Sequence, residues 1–436
     1  MKNKLLRSNS TLGWLAMAIC AVWVAWGQNP APAPAIDLKT ALAMAHKNDA
    51  VYQAAVTQAA LAHEDKRQAR AALLPSLTFL NEYLYTQPNS LGIIFIANNA
   101  VNEYTSQGNV HEALSFASRG AYLQTTALEA AAKARQEIAQ RGLDAAVTEA
   151  YYALVTAQRK SANAERSLSE AKQFVDLTTK QEKGGEAAHA DVVKAQLTEA
   201  QRERDLSDAR LAAEKAKIAL AIFLFPDYGH EYQVVDDLGQ TPQLAPFDEV
   251  SALAGRNNPE IREAESAVRA EGYGVSAARG AYLPSLSFDY FYGIDAPTFA
   301  ATGPLGQNNL GSSVLASISL PLWNWKATAS RVEQARLREA QARRELSLTQ
   351  RQLLGSLDAD YKEAQTAYSQ VDSLKHSLDL ATESLRLTVL RYEGGEATAL
   401  EVTDAQGTLA MARDAYADGL NRYQVALAVL RTLTGG

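Results

Sequence analysis

The chain has 436 residues, 47% of them hydrophobic and 21% charged, and its formal charge is −7 at pH 7. This acidic balance argues against nucleic acid as a partner. The only cysteine, Cys20, lies in an N-terminal apolar run, so a chain that loses this run has no thiol for a disulfide or a metal site.

The N-terminus has the layout of a secretory signal peptide, which we place at residues 1–27. Basic residues precede an apolar run at 12–26, and small residues follow it. About 15 apolar residues fall short of the roughly 20 that span a bilayer, so cleavage is favoured over a retained anchor helix. The residues around Cys20 do not match a lipoprotein signal, which argues against its acylation. No later stretch has the length of an apolar membrane helix.

The chain repeats itself about 210 residues along, which predicts two copies of one structural unit. Residues 69–77 recur as 278–286 with the same Leu-Pro-Ser-Leu ending, and the Gly-Gly turn at 184–185 recurs at 394–395. The resulting division is a first repeat, a linker and a second repeat at residues 28–225, 226–246 and 247–436.

Long stretches rich in Ala, Leu, Gln, Glu, Lys and Arg predict helices. They lie at residues 36–73, 120–183 and 187–223, and again at 247–279 (interrupted by Pro259), 326–392 and 398–433. The longest would extend roughly 90 to 100 Å, which exceeds an ordinary globular core. Their narrow apolar stripes favour coiled-coil packing.

Four segments between the helices alternate with a period of two and carry aromatic residues, which predicts strands. They lie at about 76–86, 109–118, 285–293 and 313–323, with loops at 86–108 and 293–312. One aromatic and aliphatic face opposite a mixed polar face fits a lipid-facing wall whose backbone must be fully paired in the bilayer. Four strands cannot close such a wall, so several copies must pool them.

Aromatic residues near the strand ends predict a belt at the membrane interface, where Tyr and Trp are enriched. The belt candidates are Tyr83, Tyr85, Tyr290, Tyr292, Trp323 and Trp325. The alternative is a small water-soluble sheet with one buried face, in which the same aromatic residues form the core.

Several motifs along the chain resemble those of the TolC-like outer membrane efflux proteins. They are Asn258-Pro259-Glu260, Leu283-Pro284-Ser285-Leu286, Leu320-Pro321-Leu322-Trp323 and Arg391-Tyr392-Glu393-Gly394-Gly395. The resemblance implies a mainly α fold with a membrane β part, in which a homotrimer forms a 12-stranded barrel in the outer membrane and a helical tunnel in the periplasm. It also implies a periplasmic adaptor (a membrane fusion protein) and an inner-membrane pump as partners. The first copy departs from the motifs, because Asn48-Asp49 replaces Asn-Pro and no Pro-Leu-Trp occurs between 110 and 118.

Each Gly-Gly turn ends a long helix and precedes a returning helix, which predicts two helical hairpins. In the resembling family these hairpins form the periplasmic tip, where the tunnel narrows and the adaptor docks. The docking candidates that this implies are Gly184, Gly185, Asp191, Gly394 and Gly395.

The resemblance also places Glu401 and Asp404 at the closed entrance of the tunnel. They are three residues apart, hence on one helix face, and threefold symmetry would make each a ring of carboxylates that favours cations. As an alternative, Thr398 to Glu401 is a capping box that satisfies the start of the helix. Arg391 and Tyr392 either brace neighbouring hairpins or stabilise the helix end by charge.

The two hairpins differ in charge at the matched positions. Asp191 matches Glu401, but Lys194 matches Asp404, so we expect only the second hairpin to line the constriction.

The sequence predicts neither an enzyme nor a cofactor site. The six histidines have no ligand spacing and no glycine-rich loop follows a strand, so a passive export duct fits best. The cargo remains open between drugs, metals, small metabolites and proteins, because the pump chooses it. The alternative function is a soluble periplasmic coiled-coil adaptor that forms no pore.

Overall fold

The computed structural model describes residues 35–87, 100–227 and 229–435. The predicted signal peptide, Cys20 and part of the predicted loop 86–108 lie outside these residues. No helix of the described chain is long and apolar enough to cross a membrane.

The element order of the first half of the chain recurs in the second half. The first half contains β1 Ala35–Ile36, α1 Leu38–Asn48, α2 Ala50–Ala71, β2 Ser76–Tyr85, β3 Asn102–Leu114, α3 Phe116–Gly184 and α4 His189–Leu224. The second contains β4 Gln233–Val234, α5 Phe247–Asn257, α6 Pro259–Gly280, β5 Ser285–Ala296, β6 Leu310–Ser319, α7 Ala327–Glu393 and α8 Ala399–Thr434. With 69 and 67 residues, α3 and α7 are each roughly 100 Å long.

The predicted helix 36–73 is two helices, because the chain leaves the helical conformation at Asp49. The Asp49 side chain accepts a hydrogen bond from the backbone N–H of Tyr52 and so caps α2. In the second copy Asn258 caps α6 through the N–H of Ile261, and Pro259 occupies the first turn. Asp49 thus caps α2 in the first repeat as Asn258 caps α6 in the second. The helix α2 therefore starts at the matching position although the first repeat has no Asn-Pro.

Three of the four strand predictions have wrong boundaries. The strand predicted at 109–118 is Asn102–Leu114, because the Ser115 hydroxyl accepts from the N–H of Ser118 and starts α3 there. The strand predicted at 313–323 is Leu310–Ser319, and Pro321 beyond it has no N–H for the ladder. Residues 76–85 match their prediction closely, and the strand from Ser285 continues to Ala296.

The longer strands form one antiparallel sheet in the order β2-β3-β5-β6. Its central pair, β3 and β5, joins the two repeats, and β2 and β6 are the outer strands. Because opposed residues point to the same face, the register sorts the side chains into two sets. One row contains Leu77, Val110, Tyr290 and Val314, and the next contains Thr78, Asn109, Phe291 and Ser313.

The first of these faces is apolar and uncovered, whereas the second is mostly polar. On the apolar face Leu77 and Ile318 are both 77% exposed and Phe79 is 69% exposed. On the polar face His111 and Asp289 are joined by a hydrogen bond of 2.7 Å. A small soluble sheet would bury its apolar face, so these exposures argue against that alternative.

The helices form a slab that continues the sheet. Next to the sheet, α3 packs against α2 and α6, and α6 packs against α7. Towards the hairpin ends, α3 packs against α4 and α8, and α8 packs against α7. The slab therefore has one flank formed by β2, α2 and α4 and another formed by β6 and α7.

The helices α3 and α6 approach closely where they meet the sheet. A Cβ on Gly120 would lie 2.6 Å from the Cα of Ala277, and a Cβ on Gly280 would lie 2.6 Å from the N of Ala117. Only glycine permits this spacing, which brings the two repeats together directly below β3 and β5.

The segment predicted as a plain linker at 226–246 contains a strand. In it β4 pairs in parallel with β1, and both lie against the middle of α3. The buried Tyr151 hydroxyl donates to the carbonyl of Val235 at 2.7 Å and also lies 3.2 Å from that of Ile36. A two-residue strand carries too little pattern to be predicted from sequence.

A charged cluster joins α2 to α3 about three turns below the sheet. Glu129 is buried and accepts from Lys66 at 2.8 Å, Lys133 at 2.7 Å and the ring of His63 at 2.9 Å. Hydrogen bonds from Lys133, Lys66 and His63 lower the pKa of Glu129 to about 2.

Candidate functional site

The two hairpin turns have the same backbone geometry. Gly185 and Gly395 are left-handed, with φ of 77° and 78°. In each turn a glutamate N–H reaches back to the helix, Glu186 to the carbonyl of Gln181 and Glu396 to that of Arg391, both at 2.8 Å. This is a Schellman-type ending, in which glycine allows the reversal of the chain.

The second tip carries a capping box. The Thr398 hydroxyl accepts from the N–H of Glu401 at 3.3 Å, and the Glu401 carboxylate accepts from the N–H of Thr398 at 3.2 Å. Arg391 adds a bond of 3.0 Å to the Glu396 carbonyl and an ion pair of 3.5 Å with Glu401. Glu401 is thus engaged in the turn of its own hairpin, whereas the exposed Asp404 lies one turn further along α8.

The first tip is closed by different side chains. His189 pairs with Glu182 across the turn at 2.7 Å, and the N-cap residue Ala188 provides no side-chain cap. Asp191 lies in the first turn of α4. The His189 and Glu182 pair was not predicted from the sequence, although the two lie seven residues apart and span the turn.

Tyr392 connects the two hairpins of one chain. It is 6% exposed and its ring meets that of Phe174, on α3, at a centroid distance of 5.1 Å. Its hydroxyl has no hydrogen-bond partner among the described residues. Burial, and to a smaller extent the charge of Asp191, raise the pKa of Tyr392.

Further from the tips, α3 and α8 are joined by polar contacts. Arg413 makes two bonds to the Glu170 carboxylate, at 2.7 and 3.1 Å, and the Gln406 amide donates to the Glu170 carbonyl at 3.3 Å. Lys160 pairs with Asp418 at 2.7 Å. Bidentate geometry and partial burial make the Arg413 pair the stronger restraint.

The belt candidates are spread along the sheet. Tyr83 and Tyr85 end β2, and the Tyr83 hydroxyl donates to Asn102 at 2.8 Å. Trp323 and Trp325 lie between β6 and α7, at the helical end of the sheet, and are 73% and 85% exposed. The remaining two, Tyr290 and Tyr292, lie inside β5 rather than at its ends.

Among the described residues no group of His, Cys, Asp or Glu side chains has the arrangement of a metal site.

The sequence is similar to those of known outer membrane efflux proteins. Residues 250–436 match the family model of outer membrane efflux proteins. The outer membrane protein OprJ of Pseudomonas aeruginosa is 26% identical over 72% of this chain and 64% of its own length. The alkaline protease secretion protein AprF of the same species is 23% identical, covering 90% and 83%.

The outer membrane efflux protein BepC of Brucella suis is 26% identical over 58% of this chain and 54% of its own length. The chain thus spans about half to two thirds of BepC and OprJ.

Solved structures share the fold. The outer membrane protein VceC of Vibrio cholerae superposes with a TM-score of 0.77 at 19% identity, covering 92% of this chain and 96% of that one. The CmeC outer membrane channel of Campylobacter jejuni gives 0.76 at 18%, covering 91% and 85%.

Proposed function

We propose that this chain, which belongs to the outer membrane efflux proteins and is located in the outer membrane, forms the channel-tunnel of an efflux or type I secretion system. The observation that carries the proposal is one sheet with an exposed apolar face and a polar face, continuous with helices roughly 100 Å long. The apolar face suits lipid and the polar face suits an aqueous lumen.

The two flanks of the slab require further copies of the chain. In the bilayer the unpaired backbone groups of β2 and β6 need partners, and β6 of one copy next to β2 of another supplies them. Because the two flanks differ, such contacts are head-to-tail, and only a closed ring leaves no strand edge unpaired in the bilayer. Three copies, as the family resemblance implies, give 12 strands.

The helical flanks support the same assembly. Exposed aliphatic residues occur on α2 and α4 at one flank and on α7 at the other. They include Val51, Leu61, Leu197, Leu211, Ile222, Leu337, Leu348, Leu354, Leu380 and Leu387. Contact between the flanks of neighbouring copies would bury these exposed apolar side chains.

As a duct, the protein needs an energy source and a connection to it. We assign the connection to the hairpin tips, where a periplasmic adaptor would dock and link the tunnel to an inner-membrane pump. The relatives include a protein named for alkaline protease secretion and one named for pyoverdine export, so the proposal leaves the cargo to the pump.

Cysteine crosslinking tests the assembly. In a Cys20→Ala background, Thr78→Cys on β2 and Ser317→Cys on β6 place thiols on the polar faces of the two outer strands. With a short bifunctional reagent we expect a ladder that ends at three chains in outer-membrane extracts, and no ladder for either single-cysteine variant. A monomer in the soluble periplasmic fraction would refute the channel and favour the adaptor alternative.

Conductance tests the proposed gate at the second tip. Glu401→Gln keeps the capping oxygen while removing the charge, and Asp404→Asn removes the second carboxylate. We expect the double variant to lose cation selectivity in planar bilayers, whereas Asp191→Asn in the first hairpin serves as the control and keeps it. Selectivity and conductance equal to the parent protein in the double variant would remove the gate assignment.

A further inference from the structure

A cleft of about 430 Å³ lies where the sheet meets the helices. Its polar lining residues are Ser115 and Arg119, and its apolar ones are Leu73, Leu114, Phe116, Pro284 and Leu286. The cleft is thus mainly hydrophobic and includes one guanidinium group. Its volume falls within the range of small-molecule binding sites.

The cleft opens on the apolar face of the sheet. Leu114 at the end of β3 is directly opposite Leu286 at the start of β5, and both share a face with Val110 and Tyr290. Leu114 is 50% exposed and Phe116 is 57% exposed. The pocket therefore continues the surface that the proposed function places in lipid.

A neighbouring copy does not cover the cleft in the proposed ring. Its strand residues belong to β3 and β5, which are the inner strands of the sheet, whereas the proposed contacts between copies use β2 and β6. The cleft consequently faces the surrounding membrane.

The depth of the cleft in the membrane follows from the change from apolar to polar surface along the slab. The apolar sheet ends and the polar helices begin at this level, where the exposed Trp323 and Trp325 also lie. Such a boundary coincides with the head groups of the periplasmic leaflet. Arg119, in the first turn of α3, is exposed, and its guanidinium forms no hydrogen bond or ion pair with the described residues.

We propose that this cleft binds a glycerophospholipid of the periplasmic leaflet, with acyl chain in the apolar part and phosphate on Arg119. A guanidinium recognises phosphate through paired, charge-assisted hydrogen bonds, and the lining excludes water from the chain. The inference rests on the proposed placement of the sheet in the bilayer and adds a specific lipid site to it.

Native mass spectrometry of the delipidated oligomer tests the site, with palmitoyl-oleoyl phosphatidylglycerol as the probe. We expect one lipid per chain at low concentration and a loss of affinity of roughly tenfold or more in Arg119→Gln. Arg119→Lys keeps the charge but not the paired hydrogen bonds, so we expect it to bind more weakly than wild type and more tightly than Arg119→Gln. Leu73→Trp, which fills the apolar part, weakens binding although the arginine remains. Arg331→Gln, with the same loss of charge on α7, serves as the control and binds normally.

Three outcomes overturn the proposal. Equal affinity in wild type and Arg119→Gln removes the phosphate contact, and an equal loss in Arg119→Gln and Arg331→Gln reduces it to general surface charge. If glycerol phosphate binds with the same affinity as the lipid, the cleft is an anion site that does not recognise the acyl chain. These results are distinguishable from failure of the proposed function, because in that case the wild-type chain does not assemble in the outer membrane at all.

Discussion

Gly120 allows a direct test of how tightly the two repeats meet. In Gly120→Ala the new methyl group would lie 2.6 Å from the Cα of Ala277, whereas ordinary contacts begin near 3.4 Å. The helices α3 and α6 must therefore part by about 0.8 Å, and backbone atoms cannot rotate away as a flexible side chain does. We expect Gly120→Ala to be destabilising.

The magnitude follows from two opposing effects. Overpacking of this kind costs about 1–3 kcal/mol, while alanine gains about 0.5–1 kcal/mol over glycine inside a helix. Gly142 provides a matched control, because it lies in the same helix and, apart from adjoining residues and the nearby backbone of that helix, no described atom is within 4 Å of the added methyl group. The intrinsic helix gain cancels between the two variants, so their difference isolates the packing cost.

The assay is the apparent Tm of the purified oligomer in mild detergent at one fixed scan rate. We expect Gly142→Ala to melt at or above the wild-type temperature and Gly120→Ala to melt below it. If Gly120→Ala melts as high as Gly142→Ala, the close approach of α3 and α6 is not a stability determinant and the reasoning is refuted.

Five further substitutions have defined expectations. Glu129→Gln should lower the free energy of unfolding by about 1–3 kcal/mol at pH 7, because it leaves three basic groups with a weaker partner. Since folding lowers the pKa of this carboxyl, its contribution is present above pH 4.5 and lost towards pH 2, so the difference from wild type should vanish in acid melts. Tyr392→Phe removes a hydroxyl without a partner and should leave the Tm unchanged or higher, whereas Tyr392→Ala should cost about 3–5 kcal/mol. Gly395→Ala should cost about 1–2 kcal/mol because φ is 78°, while Gly394→Ala, with φ of −80°, should be nearly neutral in the same melts.

Local signals were sufficient for the long hairpin helices and for the strand β2. The hairpin turns follow from Gly185 and Gly395, whose left-handed backbone only glycine adopts easily. The capping box follows from the spacing of Thr398 and Glu401. Such features depend on residues a few positions apart, which a single sequence displays.

The strand β3 was placed incorrectly because its evidence is not local. Its first half alternates Tyr104, Ser106 and Gly108 on the apolar face, which is too weak a pattern for a strand. The segment is extended because β2 and β5 pair with it on both sides. Pairing of this kind overrides the propensity of the segment.

At the hairpin tips, too, local features could be predicted from the sequence and long-range contacts could not. The sequence shows that Tyr392 precedes a turn. Its contact with Phe174, however, joins residues of different repeats and depends on how α3 packs against the second hairpin. No spacing in the sequence reports that packing.

The pairing of β3 with β5 also governs the order in which the protein can be made. His111 and Asp289, which face each other across these strands, are 178 residues apart. Until the second half of the chain has been synthesised, the first half has only the β2 and β3 hairpin, and an isolated hairpin is marginally stable. Contacts of such long range form late, so the nascent chain exposes aggregation-prone strands during its passage to the membrane. The four-stranded sheet therefore forms only after the second repeat has been synthesised.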